Sequence, residues 1–158
     1  MSAAVAPVDG GTGIEKQRLR IWLRLLKISR QMEAEIRERL RVEFATTLPR
    51  FDVLAALYRE TDGLKMTELS SALMVSNGNV TGIVERLVSD GLVVRIPVSG
   101  DRRAMIVQLT PAGRKDFAHM AKTHEGWVAS LLKTLSDEDA NTLVHLLDNV
   151  HIRGALHK

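Results

Sequence analysis

Between residues 67 and 109 two short helical segments, a tight connection and an alternating hairpin follow one another, and that order admits few folds. Thr67 reads as an N-cap followed by acidic Glu68. The helix it opens carries Leu69, Ala72 and Leu73. Val75-Ser76 is the tight connection, with Ser76 the next N-cap. Val80, Ile83, Val84, Leu87 and Val88 then recur at helical spacing, and Asp90-Gly91 ends the segment with glycine at C′. Two short helices joined this way form a helix-turn-helix. Leu92–Val98 is β-branched and apolar. Ala104–Leu109 alternates, with Met105, Val107 and Leu109 on one side. Ser99-Gly100-Asp101-Arg102 is a turn-forming cluster between them. A hairpin directly behind a helix-turn-helix is a wing.

The flanks are helical. Residues 14–44 contain neither glycine nor proline, and Ile21, Leu25, Ile28, Met32, Ile36 and Leu40 trace one apolar face. Trp22 and Leu26 add a partial second stripe, so this helix needs more than one neighbour. Pro49 opens a helix whose expected buried face is Phe51, Leu54, Ala55, Leu57 and Tyr58, ended by Thr61-Asp62-Gly63. Leu64 to Met66 is long enough only for a strand stub. Thr110-Pro111 starts a helix bearing Phe117, Met120, Trp127 and Val128, and Ser136 with three acidic residues starts the last. The fold class is therefore mainly α with a small β-hairpin wing, a winged helix-turn-helix with N- and C-terminal dimerisation helices. The expected division is a DNA-binding lobe at 49–110, a helical dimerisation region at 14–48 and 111–158, and a disordered tail at 1–13. Ile14, Leu19, Leu143, Leu146, Leu147, Val150, Ile152 and Leu156 are the expected dimer contacts.

Composition narrows the function. There is no cysteine, which excludes disulfides, thiolate zinc sites and cysteine redox switches. The apolar share of 45% supports a core, and no run approaches the ~20 residues of a membrane span. No signal peptide is legible in the Ala/Gly-rich start, so a cytoplasmic protein without a membrane partner is expected. No phosphate loop, dinucleotide fingerprint or nucleophile elbow is present, so neither an enzyme nor a cofactor is expected. His119 and His124 are five apart, and His145 and His151 six apart, neither placing two imidazoles on one helical face; no metal site is expected.

The second helix of the pair starts Ser76-Asn77-Gly78-Asn79-Val80-Thr81-Gly82 and presents Asn77, Asn79, Thr81, Glu85 and Arg86 on its polar side. Asparagine donates and accepts together, which suits adenine edges in a major groove. Glycines at 78 and 82 cost helix stability but let a duplex approach the backbone. The bland alternative is a solvated helix end. At the wing, Arg102 and Arg103 beside Arg95 can reach phosphates or a narrow minor groove, with Asp101 pairing an arginine and shaping the turn.

These residues carry a resemblance. RFDVLAALY, MTELSSAL, SNGNVTGIVERLVSDGLVVR and GDRRAMIVQLTPAGR resemble the MarR family of bacterial winged-helix regulators. The resemblance implies a homodimer with interlocked terminal helices. It puts the recognition helices in successive major grooves of a pseudo-palindromic double-stranded DNA operator and the wings near minor grooves. Ser76, Asn77, Gly78, Asn79, Thr81 and Arg86 fall on the DNA-facing helix, and Asp101 and Arg103 match the family's wing Asp-x-Arg. Gly78 and Gly82 depart from bulkier relatives and leave base preference open. Members are typically repressors released by a small ligand held between the first, second and fifth helices. Here Trp22, Leu26, Met32, Phe51 and Trp127 are candidates to line that crevice, although such residues more often form core.

The first helix adds a basic stripe, Lys16, Arg20, Arg24 and Lys27, with no acid between Lys16 and Arg30, and a further row through Arg37. A solvated face explains most such runs. The functional reading is a site for an aromatic acid or its coenzyme A thioester, whose phosphates need several cations. The resemblance to members that control aromatic-acid catabolism points the same way. The alternatives are another signal, such as a metal, and a ligand-independent architectural DNA binder.

Overall fold

The computed structural model describes residues 12–73 and 77–151. Val75, Ser76, Ile152, Leu156 and nearly all of the expected tail lie outside the described residues. Asn77, Gly78 and Arg102 are described by backbone alone.

Helix α1 runs Gly13–Phe44. Thr12 caps it reciprocally: its hydroxyl accepts the Glu15 N–H at 3.4 Å, and the Glu15 carboxylate accepts the Thr12 N–H at 2.6 Å. Helix α2, Leu48–Arg59, is capped by Thr47, with Pro49 in its first turn where a missing N–H is harmless. Strand β1, Leu64–Lys65, leads into α3, Met66–Leu73, and α4 spans Asn77–Ser89. Strands β2, Val93–Val98, and β3, Asp101–Leu109, form the wing. Helix α5, Pro111–Leu131, and α6, Asp137–Asp148, complete the chain.

Three local expectations change. The strand stub pairs with β3 (Leu64 opposite Val107), so the hairpin becomes a three-stranded antiparallel sheet in the order β1-β3-β2. Thr67 is not an N-cap. The Glu68 carboxylate reaches back to the Lys65 N–H at 2.7 Å, so α3 starts at Met66 and Thr67 lies inside it. The wing turn is two residues, Ser99-Gly100 with Gly100 at φ +86°, and the strand resumes at Asp101.

The core gathers under α2. Leu40 of α1, Val53, Leu54 and Leu57 of α2, Leu69 of α3, Val80, Val84 and Leu87 of α4 and Val107 of β3 are fully buried. Val53 was outside the expected α2 face, and Tyr58, inside it, is 37% exposed. The reason is that α2 packs against α3, α4, α5 and β3 together, so one stripe cannot describe its burial.

Two joints hold α4 in place. Gly91, at φ +73°, ends it as expected: its N–H bonds to the Val88 carbonyl and the Leu92 N–H to that of Leu87, both at 3.0 Å. Thr110 then ties this end to α5, its hydroxyl donating to the Gly91 carbonyl at 2.7 Å and accepting the Gly113 N–H at 3.0 Å. Gly113 is required there, because a Cβ would stand 1.9 Å from the Leu92 carbonyl oxygen.

The terminal helices are different. Of the α1 face expected to be apolar, only Ile36 and Leu40 are buried, while Ile21 is 57% exposed. Helix α6 buries no residue. Among the described residues no helix is long and apolar enough to cross a membrane.

Candidate nucleic-acid interface

Helix α4 turns Val80, Val84 and Leu87 inward, which leaves Asn79, Gly82, Glu85 and Arg86 on the outside. Thr81 is half-buried rather than fully presented. A Cβ on Gly82 would meet nothing within 4 Å, so this chain's own packing does not demand glycine there. The space beyond its Cα is open. The backbones of Asn77 and Gly78 belong to the first turn, and the N–H groups at a helix start favour an anion.

The wing lies beside this helix. Arg95 on β2 is half-buried and faces Glu85 of α4 at 3.9 Å, and among the described residues its buried Nε has no hydrogen-bond partner. It therefore links β2 of the wing to α4. Asp101 shapes the turn, as expected, but through the main chain: its Oδ1 accepts the Arg103 N–H at 3.0 Å. Among the described side chains it pairs with no arginine, and the side chain of Arg102, the other expected partner, lies outside them. Arg103 remains exposed.

A cleft of about 810 Å³ opens behind α4. Arg37 of α1, Pro49 and Asp52 of α2 and Ile83 and Arg86 of α4 help to line it. Shielding from water raises the Asp52 carboxyl above its ordinary range. Arg37 and His124 pull it back and Glu33 adds to the rise. Arg37 is itself paired with Glu33 on the same helix.

The nine ligand candidates do not meet in one site within the chain. Arg20, Trp22, Arg24 and Lys27 sit on the exposed N-terminal half of α1, with Trp22 58% exposed. Leu26 and Met32 are half-buried. Arg37 lies about 22 Å further along the helix from Trp22 at 1.5 Å per residue. Phe51 and Trp127 do share one cluster, both rings packing on His124 at 4.8 and 6.4 Å, but they are core. Sequence reasoning missed Arg50, Asp52 and Asp90. Arg50 of α2 pairs with Asp90 at the end of α4 across 40 residues, and no local pattern signals such a pair.

A helix-turn-helix whose second helix is backed by a three-stranded wing defines a winged-helix DNA-binding protein. The model of the MarR family matches residues 46–104. The transcriptional activatory protein BadR of Rhodopseudomonas palustris is 30% identical, covering 83% of this chain and 78% of its own. A MarR family transcriptional regulator from Silicibacter pomeroyi is 33% identical, with a TM-score of 0.71 over 87% of this chain and 95% of that one. A MarR mutant from E. coli complexed with operator DNA has the same fold, at 24% identity and a TM-score of 0.70 over 87% of this chain and 97% of that one. The chain belongs to the MarR family. It is a DNA-binding transcriptional regulator and not an enzyme.

Proposed function

We propose that the chain is a homodimeric repressor that binds a pseudo-palindromic operator and is released by a small ligand such as an aromatic acid or its coenzyme A thioester. Residues 49–110 act as the reading lobe, and residues 14–48 and 111–158 join two copies. The single observation that carries the dimer is the uncovered apolar surface at both ends. Ile21, Trp22 and Ile28 on α1, Val144 and Leu146 on α6 and Val150 just beyond it are 49–61% exposed in the isolated chain. A two-fold dimer buries these faces and places two copies of α4 for successive grooves. The operator complex of the E. coli relative supports the DNA mode.

In this reading Asn79 and Thr81 face base edges, Ser76, Asn77, Gly78 and Arg86 face phosphates, and Arg95, Arg102 and Arg103 serve the wing, with Asp101 shaping its turn. The relatives' names split on the direction of control: BadR is called activatory, and YetL of Bacillus subtilis is called a repressor. Repression follows most simply from a dimer that occupies a promoter. For the ligand, the cleft behind α4 is favoured by its walls, since a molecule there touches α1 and α4 at once. The basic stripe of α1 (Arg20, Arg24 and Lys27) suits the phosphates of a thioester. Coupling of this type typically weakens DNA binding by roughly 5- to 150-fold.

The test is fluorescence anisotropy on DNA from upstream of the chain's own gene at fixed salt, challenged with aromatic acids, their coenzyme A thioesters, coenzyme A alone and zinc. Release by acids or thioesters is expected. Binding that no compound releases overturns the ligand reading and leaves the DNA reading intact.

A further inference from the structure

The ion pairs of this chain fall into two kinds. Glu33–Arg37, Glu35–Arg39 and Glu38–Arg41 lie within α1 at helical spacing and tie nothing to anything else. Among the described residues only Arg50–Asp90 and Arg95–Glu85 join separate elements, and both take their acid from the C-terminal half of α4 or the residue that follows it.

Arg50–Asp90 is the closer of the two. Asp90 directly follows α4, and its N–H bonds to the Arg86 carbonyl at 3.0 Å. A carboxylate at this end of a helix faces the negative pole of the helix dipole and is disfavoured unless a cation answers it. Arg50 is that cation. Its backbone is fixed by the cap of α2, where its N–H donates to the Thr47 hydroxyl at 3.4 Å directly after Pro49. Its side chain is 21% exposed, and one guanidinium nitrogen donates to the Asp90 carboxylate. The pair thus connects the capped start of α2 to the end of the recognition helix. Gly91 and Leu92, immediately beyond, are stitched to Thr110. With Asp90 and Glu85 both answered, Arg86 is the charge α4 leaves exposed between them, and among the described residues it makes no ion pair.

We propose that Arg50 is a positioning residue for DNA recognition: through Asp90 it fixes the angle of α4 against α2, and so the depth at which Asn79 and Gly82 enter the groove. The proposal rests on α4 being the reading helix. It assigns Arg50 no contact with DNA.

The Asp90→Ala variant separates positioning from charge. Removing an acid near a polyanion should by itself tighten binding, and freeing Arg50 for a phosphate should tighten it further. Positioning requires the opposite. Anisotropy on the upstream DNA and on a scrambled duplex of equal length is expected to show specific affinity falling roughly three- to thirtyfold in both Arg50→Ala and Asp90→Ala, with smaller change on the scrambled duplex. The exchanged pair, Arg50→Asp with Asp90→Arg, should recover much of the difference. Tighter binding by Asp90→Ala, or equal loss on both duplexes with a smaller salt slope in Arg50→Ala, overturns the proposal in favour of direct phosphate contact.

Amide hydrogen exchange without DNA provides an independent readout. Both single variants should lose protection across residues 84–92 while α5 keeps its own. Unchanged protection there overturns the clamp. Lost protection in a chain whose wild type prefers no DNA sequence would uphold the clamp and overturn the repressor reading.

Discussion

The lobe from α2 to β3 and the two terminal helices obey the same apolar periodicity and end in opposite states. In the lobe Val53, Leu54, Leu57, Leu69, Val84, Leu87 and Val107 find their partners within one chain and lose contact with water. In α6 the stripe of Leu143, Val144 and Leu147, continued beyond the helix by Val150, is as regular, yet none of its members is buried. Periodicity states that a face must be covered; it does not state by what. The contrast repeats inside α1. Its C-terminal half buries Ile36 and Leu40 and pairs Arg37, Arg39 and Arg41 with Glu33, Glu35 and Glu38. Its N-terminal half exposes Ile21, Trp22 and Ile28 beside Arg20, Arg24 and Lys27.

Substitutions on the two sides should separate sharply. Leu57→Ala opens a cavity in the lobe and should cost roughly 2–5 kcal/mol in urea unfolding. Val144→Ala on α6 should cost less than about 0.5 kcal/mol within the chain while making the melting temperature more dependent on protein concentration. Equal costs would mean that the terminal helices close on their own chain after all.

The next effect is smaller and falls on the lobe's outer surface. Asn79→Ala should lose roughly 1–3 kcal/mol of discrimination at one operator position. Arg103→Ala should weaken all sequences alike and lower the salt slope by about 1. Competition titrations with single-base operator variants distinguish the two. Asn79→Ala losing equally on every sequence contradicts base reading, and unchanged affinity in Arg103→Ala removes the wing from the interface.

The smallest effect concerns the seam between the two regions, where Asp52 faces Arg37, Glu33 and His124. Shielding raises its carboxyl above the ordinary value of 3.8, so the folded chain holds that proton to higher pH than the unfolded chain. Its contribution to stability therefore declines as pH rises from about 3.8 through the folded value. Asp52→Asn should flatten the pH dependence of urea unfolding in that window. An unchanged slope would show that water reaches the carboxylate freely.

What the sequence made legible was local. Gly91 at a left-handed C′ position, the Thr110-Pro111 start of α5 and the alternation of β3 each depend on neighbours a few residues away, and each is found where the pattern puts it. The remainder depends on distant partners. A two-residue strand has no period, so β1 becomes visible only through Val107 of β3. Thr67 was displaced as a cap by the reach of Glu68 to Lys65. Val53 is buried because α2 is surrounded, and Arg50–Asp90 spans 40 residues without a motif. The exposure of Asn79 and Arg86 was legible because one helix carries both. The cleft was not, since α1, α2 and α4 must first be brought together.

The most direct test replaces two α6 residues, Val144→Asp with Leu147→Asp, and measures sedimentation and binding to the upstream DNA on the same sample. The account predicts a folded monomer whose affinity falls by roughly a hundredfold or more, because two linked lobes bind far better than one. A double variant that still sediments as a dimer and binds as tightly as the parent would contradict it.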